Sequence, residues 1–147
     1  MKNNEGVQIM ENLLAAFNQN TENVLSLFTP DATVEYPYAK SLGIQHELNM
    51  EDYKNHLNTI LLQMPEIVFN DLKVYALQEE NWYWGEFQAE TTVPQTGLVY
   101  RQEYVVNFRL TNGKFSLYRE FWNVLPVLQR LMNKEDAHHI IDNTITN

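Results

Sequence analysis

The sequence predicts an α+β fold in one domain: a strongly curved, mostly antiparallel sheet packed on three N-terminal helices. Three observations carry this reading. Apolar residues recur at helical spacing as far as Pro65 and at a spacing of two beyond it. The later segments are joined by short connections, and helices followed by antiparallel strands define the α+β class. A chain of 147 residues with 44% hydrophobic content can also bury about two-thirds of its unfolded surface around a single core.

Each element follows from its own residues. In the first helix, over 6–17, Val7, Met10, Leu13, Leu14 and Phe17 share a face. A second helix starts at Thr21, read as its N-cap, and carries Val24, Leu25 and Phe28 inward. The segment "TVEYPYA" reads as a short strand whose Pro37 suits a sheet edge. After the loop "KSLGIQHELN", Asn49 caps a third helix over 50–64 that stops before Pro65.

Four strands follow: "EIVFNDLKVYAL", "NWYWGEFQAETTV", "LVYRQEYVVNFRL" and "KFSLYREFW". Asn112-Gly113 marks a type I′ hairpin, in which both central residues need positive φ. "LPVLQRLM" is a short closing helix. The single domain spans 1–147, with a core over about 5–133 and a polar C-terminal tail over 134–147. Long strands of this kind twist and curl, and helices must cover the concave side. The resulting cone is packed at its narrow end and can hold a ligand at its open end.

Composition excludes several function classes. There is no cysteine, hence no disulfide, thiolate metal site or thiol nucleophile. Ten Lys and Arg residues scattered among nineteen acids give a net charge of −9, which argues against nucleic acid and anionic membranes as partners. No phosphate loop, dinucleotide fingerprint or zinc-ligand pattern is present, and no cofactor is expected. His138 and His139 are adjacent, so on a helix they diverge by about 100° and do not share a metal. With no apolar run of signal or membrane-spanning length, the expectation is a cytoplasmic protein.

The helix, "LFTPDATVEY", the next helix and the long strands ending in "GKFSLYREFWNVL" together resemble the nuclear-transport-factor-2-like superfamily over nearly the full chain. That superfamily includes ketosteroid isomerases and SnoaL-like polyketide cyclases. Within it, Arg119, Glu120, Phe121 and Asn123 resemble a segment of the phenazine-biosynthesis A/B proteins, as does the spacing of "MEDYKNHLNTILLQMPEIVFNDLKVYA". The resemblance implies a homodimer with a pocket between helices and sheet, and a pocket acid/base at Glu120 joined by His56. Two positions depart from the pattern: Val106 stands where cyclases place a histidine, and Ile60 where the phenazine proteins carry a hydroxyl.

The apolar phase Tyr104, Val106, Phe108 and Leu110 belongs to the interior. Its partner phase across the hairpin, by the superfamily's pattern, is Ser116, Tyr118, Glu120 and Trp122. Phe115, Leu117 and Phe121, beside Val105, then form an apolar back surface suited to a dimer contact. For the strand at 81–93 the inward phase stays open, although Gly85, Phe87 and Ala89 suit a tight interior.

A carboxyl walled by Tyr118 and Trp122 loses hydration, which raises its pKa towards the range useful for proton transfer. The alternative for Glu120 is a structural carboxylate paired with a Tyr, His56 or an Arg. His56 is a candidate ligand donor or catalytic partner, against an ordinary hydrogen-bonded core histidine. Tyr36, Tyr38, Tyr53, Tyr104, Tyr118 and Trp122 are the expected ligand-binding residues, with packing as their alternative role. His46 lies in a loop that could cover the cone.

Three functions remain open from sequence: acid/base catalysis without cofactor on a small cyclic carbonyl compound, non-catalytic binding of a small apolar or aromatic ligand, and a dimeric assembly module.

Overall fold

The computed structural model describes residues 2–146. Helix α1 (Lys2–Phe17) buries Met10, Leu13 and Leu14. Helix α2 (Thr21–Leu25) is capped by Asn20, not Thr21: the Asn20 side chain accepts the Asn23 N–H at 2.8 Å. Thr21 instead donates its hydroxyl to Asn58 at 2.8 Å, tying α2 to α3. Strand β1 is Phe28–Glu35, so Phe28 opens a strand and does not close a helix.

Pro37 begins a 3₁₀ turn (Pro37–Leu42) rather than sitting in a strand, a position where its missing N–H costs nothing. A two-residue strand β2 (Glu47–Leu48) then takes the sheet edge expected of β1. Helix α3 (Met50–Gln63) starts at a reciprocal capping box between Asn49 and Asp52.

Strands β3 (Val68–Ala76), β4 (Trp82–Thr92), β5 (Val99–Thr111) and β6 (Lys114–Trp122) complete one six-stranded sheet in the order β2-β1-β6-β5-β4-β3. Every pairing is antiparallel except β1 with β6. The sheet curls without closing, with α1 packed on β3 and α3 on β1. On β4 the phase Tyr83, Gly85, Phe87, Ala89 and Thr91 points inward and Trp84 outward. A Cβ on Gly85 would lie 2.9 Å from a Val106 methyl, so only glycine lets the two strands sit so closely on that face.

The chain continues through α4 (Val124–Pro126) into a π-helical turn (Val127–Leu131). The segment read as a polar tail is helix α5 (Lys134–Thr146), whose start is capped by Asn133 accepting the Asp136 N–H at 2.8 Å. No described helix is long and apolar enough to cross a membrane.

The β5–β6 hairpin corrects one face assignment. Asn112 and Gly113 have φ of +53° and +78°, as the type I′ turn requires. Thr111 therefore pairs with Lys114 and Leu110 with Phe115, which turns Phe115 inward with Leu110. Arg109 then pairs with Leu117, leaving Ser116 as an extra residue in a β-bulge. Its hydroxyl is held by Arg109 Nε at 3.0 Å and the Thr111 hydroxyl at 2.8 Å, so it does not line the interior.

Past the bulge the phase has switched, and Tyr118, Glu120 and Trp122 pair with the inward residues Phe108, Val106 and Tyr104. Phe115 belongs to the core, not to the back surface. It packs against Phe28, Phe108 and Tyr118 with ring centroids 4.9–5.3 Å apart.

Candidate functional site

Two adjoining hollows lie between the helices and the concave sheet face. The outer chamber, about 560 Å³, is bounded by His56, Tyr100, Trp122 and the closing segment at Val127, Leu131 and Met132. The inner one, about 60 Å³, is lined by Tyr53, Leu57, Phe69 and Glu120. Tyr36, Ile60 and Met64 line both, and so form the boundary that the two share.

The volumes decide how a ligand is divided. A ring system fits only the outer chamber, and only a small projecting group fits beside Glu120.

Glu120 is half-buried on β6 and accepts a hydrogen bond from the Tyr118 hydroxyl at 3.2 Å. Loss of hydration pushes its carboxyl up to about 7, and the Tyr118 bond opposes only part of that rise. Its neighbours are neutral phenols. Burial, followed by the nearby charges of Glu120 and other tyrosines, holds Tyr36, Tyr53, Tyr104 and Tyr118 well above their ordinary range. The arginine next in sequence cannot help the carboxylate, because Arg119 faces the other side of the sheet. There its Nε meets Glu35 at 2.6 Å, and its Nη1 donates to Asn107 at 3.0 Å.

The remaining sequence-derived candidates separate into groups. The Tyr36 and Tyr53 hydroxyls are turned towards each other, and the Tyr36 ring centroid lies 5.4 Å from that of His56 and 6.5 Å from that of Trp122. His56 lies in the outer chamber and Glu120 in the inner one, with Tyr36 shared between them. Burial lowers the His56 pKa, which favours the neutral imidazole.

Tyr118 and Tyr104 stand behind the cavity wall, Tyr104 stacked on Phe87 at 4.9 Å. Tyr38 is not brought to the site. It is 49% exposed and rests edge-on against Phe121 on the outer face, because the 3₁₀ turn at Pro37 carries it away. The two departures noted from sequence fall inside: Val106 is fully buried opposite Glu120, and Ile60 lies on the boundary of the two hollows.

Sequence reasoning missed Tyr100, Met64 and the 127–132 segment as lining residues. Tyr100 shares a strand phase with Tyr104, and that spacing was the available signal. Among the described residues, no cluster of three or more His, Asp or Glu side chains is placed to hold a metal ion.

The family model for the SnoaL-like domain matches residues 10–118. The chain belongs to the SnoaL-like family. An uncharacterized PhzA/B-like protein of Pseudomonas aeruginosa is 27% identical to this SnoaL-like chain over 124 residues, 84% of this chain and 87% of that one. The uncharacterized YesE of Bacillus subtilis is 32% identical over 105 residues, 69% of each chain.

Among solved structures, a Bacillus subtilis protein described as a candidate isomerase superposes with a TM-score of 0.80 at 22% identity, covering 89% of this chain and 95% of its own. The pinacolase BvnE of Penicillium brevicompactum superposes with a TM-score of 0.75 at 14% identity, over 88% and 93% of the two chains. Likenesses at such identity concern the fold, which this SnoaL-like domain shares with proteins of isomerase and cyclase type.

Proposed function

We propose that this SnoaL-like protein is a cofactor-independent acid/base enzyme acting on a small cyclic carbonyl compound, with Glu120 carrying the proton. The observation that carries the reading is a carboxyl on the wall of an apolar hollow among buried phenols, where lost hydration pushes its pKa up to about 7. In its anionic form Glu120 removes a proton from the carbon beside the carbonyl. In its acidic form it returns one, and the Tyr53 hydroxyl, whose oxygen Tyr36 supports, offers its proton to the developing enolate oxygen. Isomerisation, aldol cyclisation, dehydration and condensation all share that first step.

The test is therefore the step itself. Wild-type protein should accelerate exchange of the methyl α-protons of 2-acetylnaphthalene, a ring ketone whose α-carbon projects from the ring, in D₂O, followed by NMR, with a rate that rises with pH and levels off above about 7. Absence of exchange with the ketone bound favours the second reading, a binder of small aromatic ligands. One observation supports that second reading: nearly all of the free volume lies in the outer chamber, away from Glu120.

We also propose a homodimer through the outer sheet face. Val105, Leu117 and Phe121 are partly exposed there, flanked by Tyr38 and by Trp84 at 37% exposure. Such an apolar surface suits contact with a second copy better than contact with water. Light scattering should report a dimer for the wild type and a monomer for Phe121→Glu. A monomeric wild type would remove this proposal.

A further inference from the structure

Gln102 lies on the inner side of β5, is 3% exposed and lines neither chamber. The orientation of its amide is fixed by its partners. Its Oε1 accepts the backbone N–H of Asn123 at 2.7 Å and of Glu103 at 3.0 Å, and both of those groups can only donate. The Nε2 end must then face the Asn123 carbonyl and the Tyr100 hydroxyl, each at 2.8 Å.

An amide nitrogen donates and never accepts, so the Tyr100 oxygen accepts here and its proton points elsewhere. Tyr104 carries the second hydroxyl turned towards the Tyr100 oxygen. Tyr104 opens on neither chamber, so its buried proton needs Tyr100 as acceptor. Tyr100 itself opens on the outer chamber.

We propose that Gln102 is a positioning residue that, together with Tyr104, occupies the acceptor side of the Tyr100 oxygen and aims the Tyr100 O–H into the outer chamber. Tyr100 thereby becomes a directed donor to an oxygen acceptor, such as a carbonyl, on the bound molecule. The inference rests on the outer chamber being a small-molecule site. The same glutamine also holds both backbone groups of Asn123, the residue that launches the segment forming the chamber's far wall. One side chain thus sets the donor and the wall it faces.

The test compares 2-acetylnaphthalene with 2-isopropenylnaphthalene, which has nearly the same shape and lacks the acceptor. Their Kd values are read from tryptophan fluorescence, since Trp122 lines the chamber. Wild type should prefer the ketone by roughly five- to tenfold, as one net hydrogen bond allows. Tyr100→Phe should bring the ratio close to one. Gln102→Glu should do the same with Tyr100 intact, because a carboxylate takes the hydroxyl proton for itself, whereas a merely structural role for Gln102 would weaken both naphthalenes equally.

A ratio unchanged in Tyr100→Phe or in Gln102→Glu overturns the proposal while leaving the chamber as a ligand site. Failure of wild type to bind either naphthalene removes the chamber reading and this inference together. A neutron structure of the ligand-free wild type tests the same point without variants. The Tyr100 deuteron should point into the chamber, and a deuteron directed at Gln102 or Tyr104 contradicts the proposal.

Discussion

Glu120→Gln should slow methyl α-proton exchange on 2-acetylnaphthalene by roughly two to four orders of magnitude, the usual contribution of a positioned general base. The Kd for the ketone should stay within about threefold, because Gln keeps the shape and can still accept the Tyr118 hydroxyl. Loss of affinity at an unchanged exchange rate would instead make Glu120 a binding residue.

The same substitution has a signature in stability. The folded-state pKa of Glu120 lies above its ordinary value of 4.5, at about 7. A raised pKa means that the folded state holds the proton more tightly. The stabilisation is then complete below pH 4.5 and is lost as pH rises through about 7. A difference of this size corresponds to about 3 kcal/mol between the two ends of that window. Tyr36, Tyr53, Tyr104 and Tyr118, which face the carboxyl from β1's end, α3, β5 and β6, stay neutral throughout it. Glu120→Gln should therefore gain on wild type in thermal stability between pH 5 and pH 8. A constant difference in melting temperature across that range would contradict the assignment.

Phe115→Ala should cost about 3–5 kcal/mol in urea unfolding, the range for removing a fully buried phenylalanine. Its ring has no exposed surface and meets Phe28, Phe108 and Tyr118. Leu117→Ala, two residues on and facing outward, should cost the monomer far less. The pair measures the bulge directly. A regular hairpin past Asn112-Gly113 would put Phe115 and Leu117 on one face and make both substitutions severe.

That hairpin shows how far the sequence could be read. The turn was legible because Asn-Gly supplies two positive φ angles. Register follows from the turn by counting, and counting without a bulge places Phe115, Leu117 and Arg119 inward and Glu120 outward. The superfamily's pattern gave the correct inward phase from Tyr118 onward but the wrong one for Ser116 and Phe115. Reconciling the two requires one extra residue, and Ser116 is that residue. Nothing in a period-two pattern announces a single unpaired serine, so only the paired strands disclose it.

Helix α3 was legible from Asn49 to Pro65 because its cap and its stop are both chemical signals. Strand β1 was legible only at its end, Thr33–Glu35, and its first residues were read as helix and turn, since its parallel partner β6 lies more than eighty residues away in sequence. For the candidate site, Glu120, Tyr53, Trp122 and His56 were found from strand phase, helix face and resemblance. Their division between two chambers depends on how α3 leans over the sheet, which no local pattern encodes.

The decisive measurement is a titration of Glu120 by infrared spectroscopy, with the protein labelled at glutamate carboxyl carbons and Glu120→Gln as the difference reference. A carboxylic-acid band that persists to neutrality and disappears with a midpoint near 7 is the expected result. A midpoint near 4.5 would mean that water reaches the carboxyl freely, and the proton-carrying role proposed for it would fall.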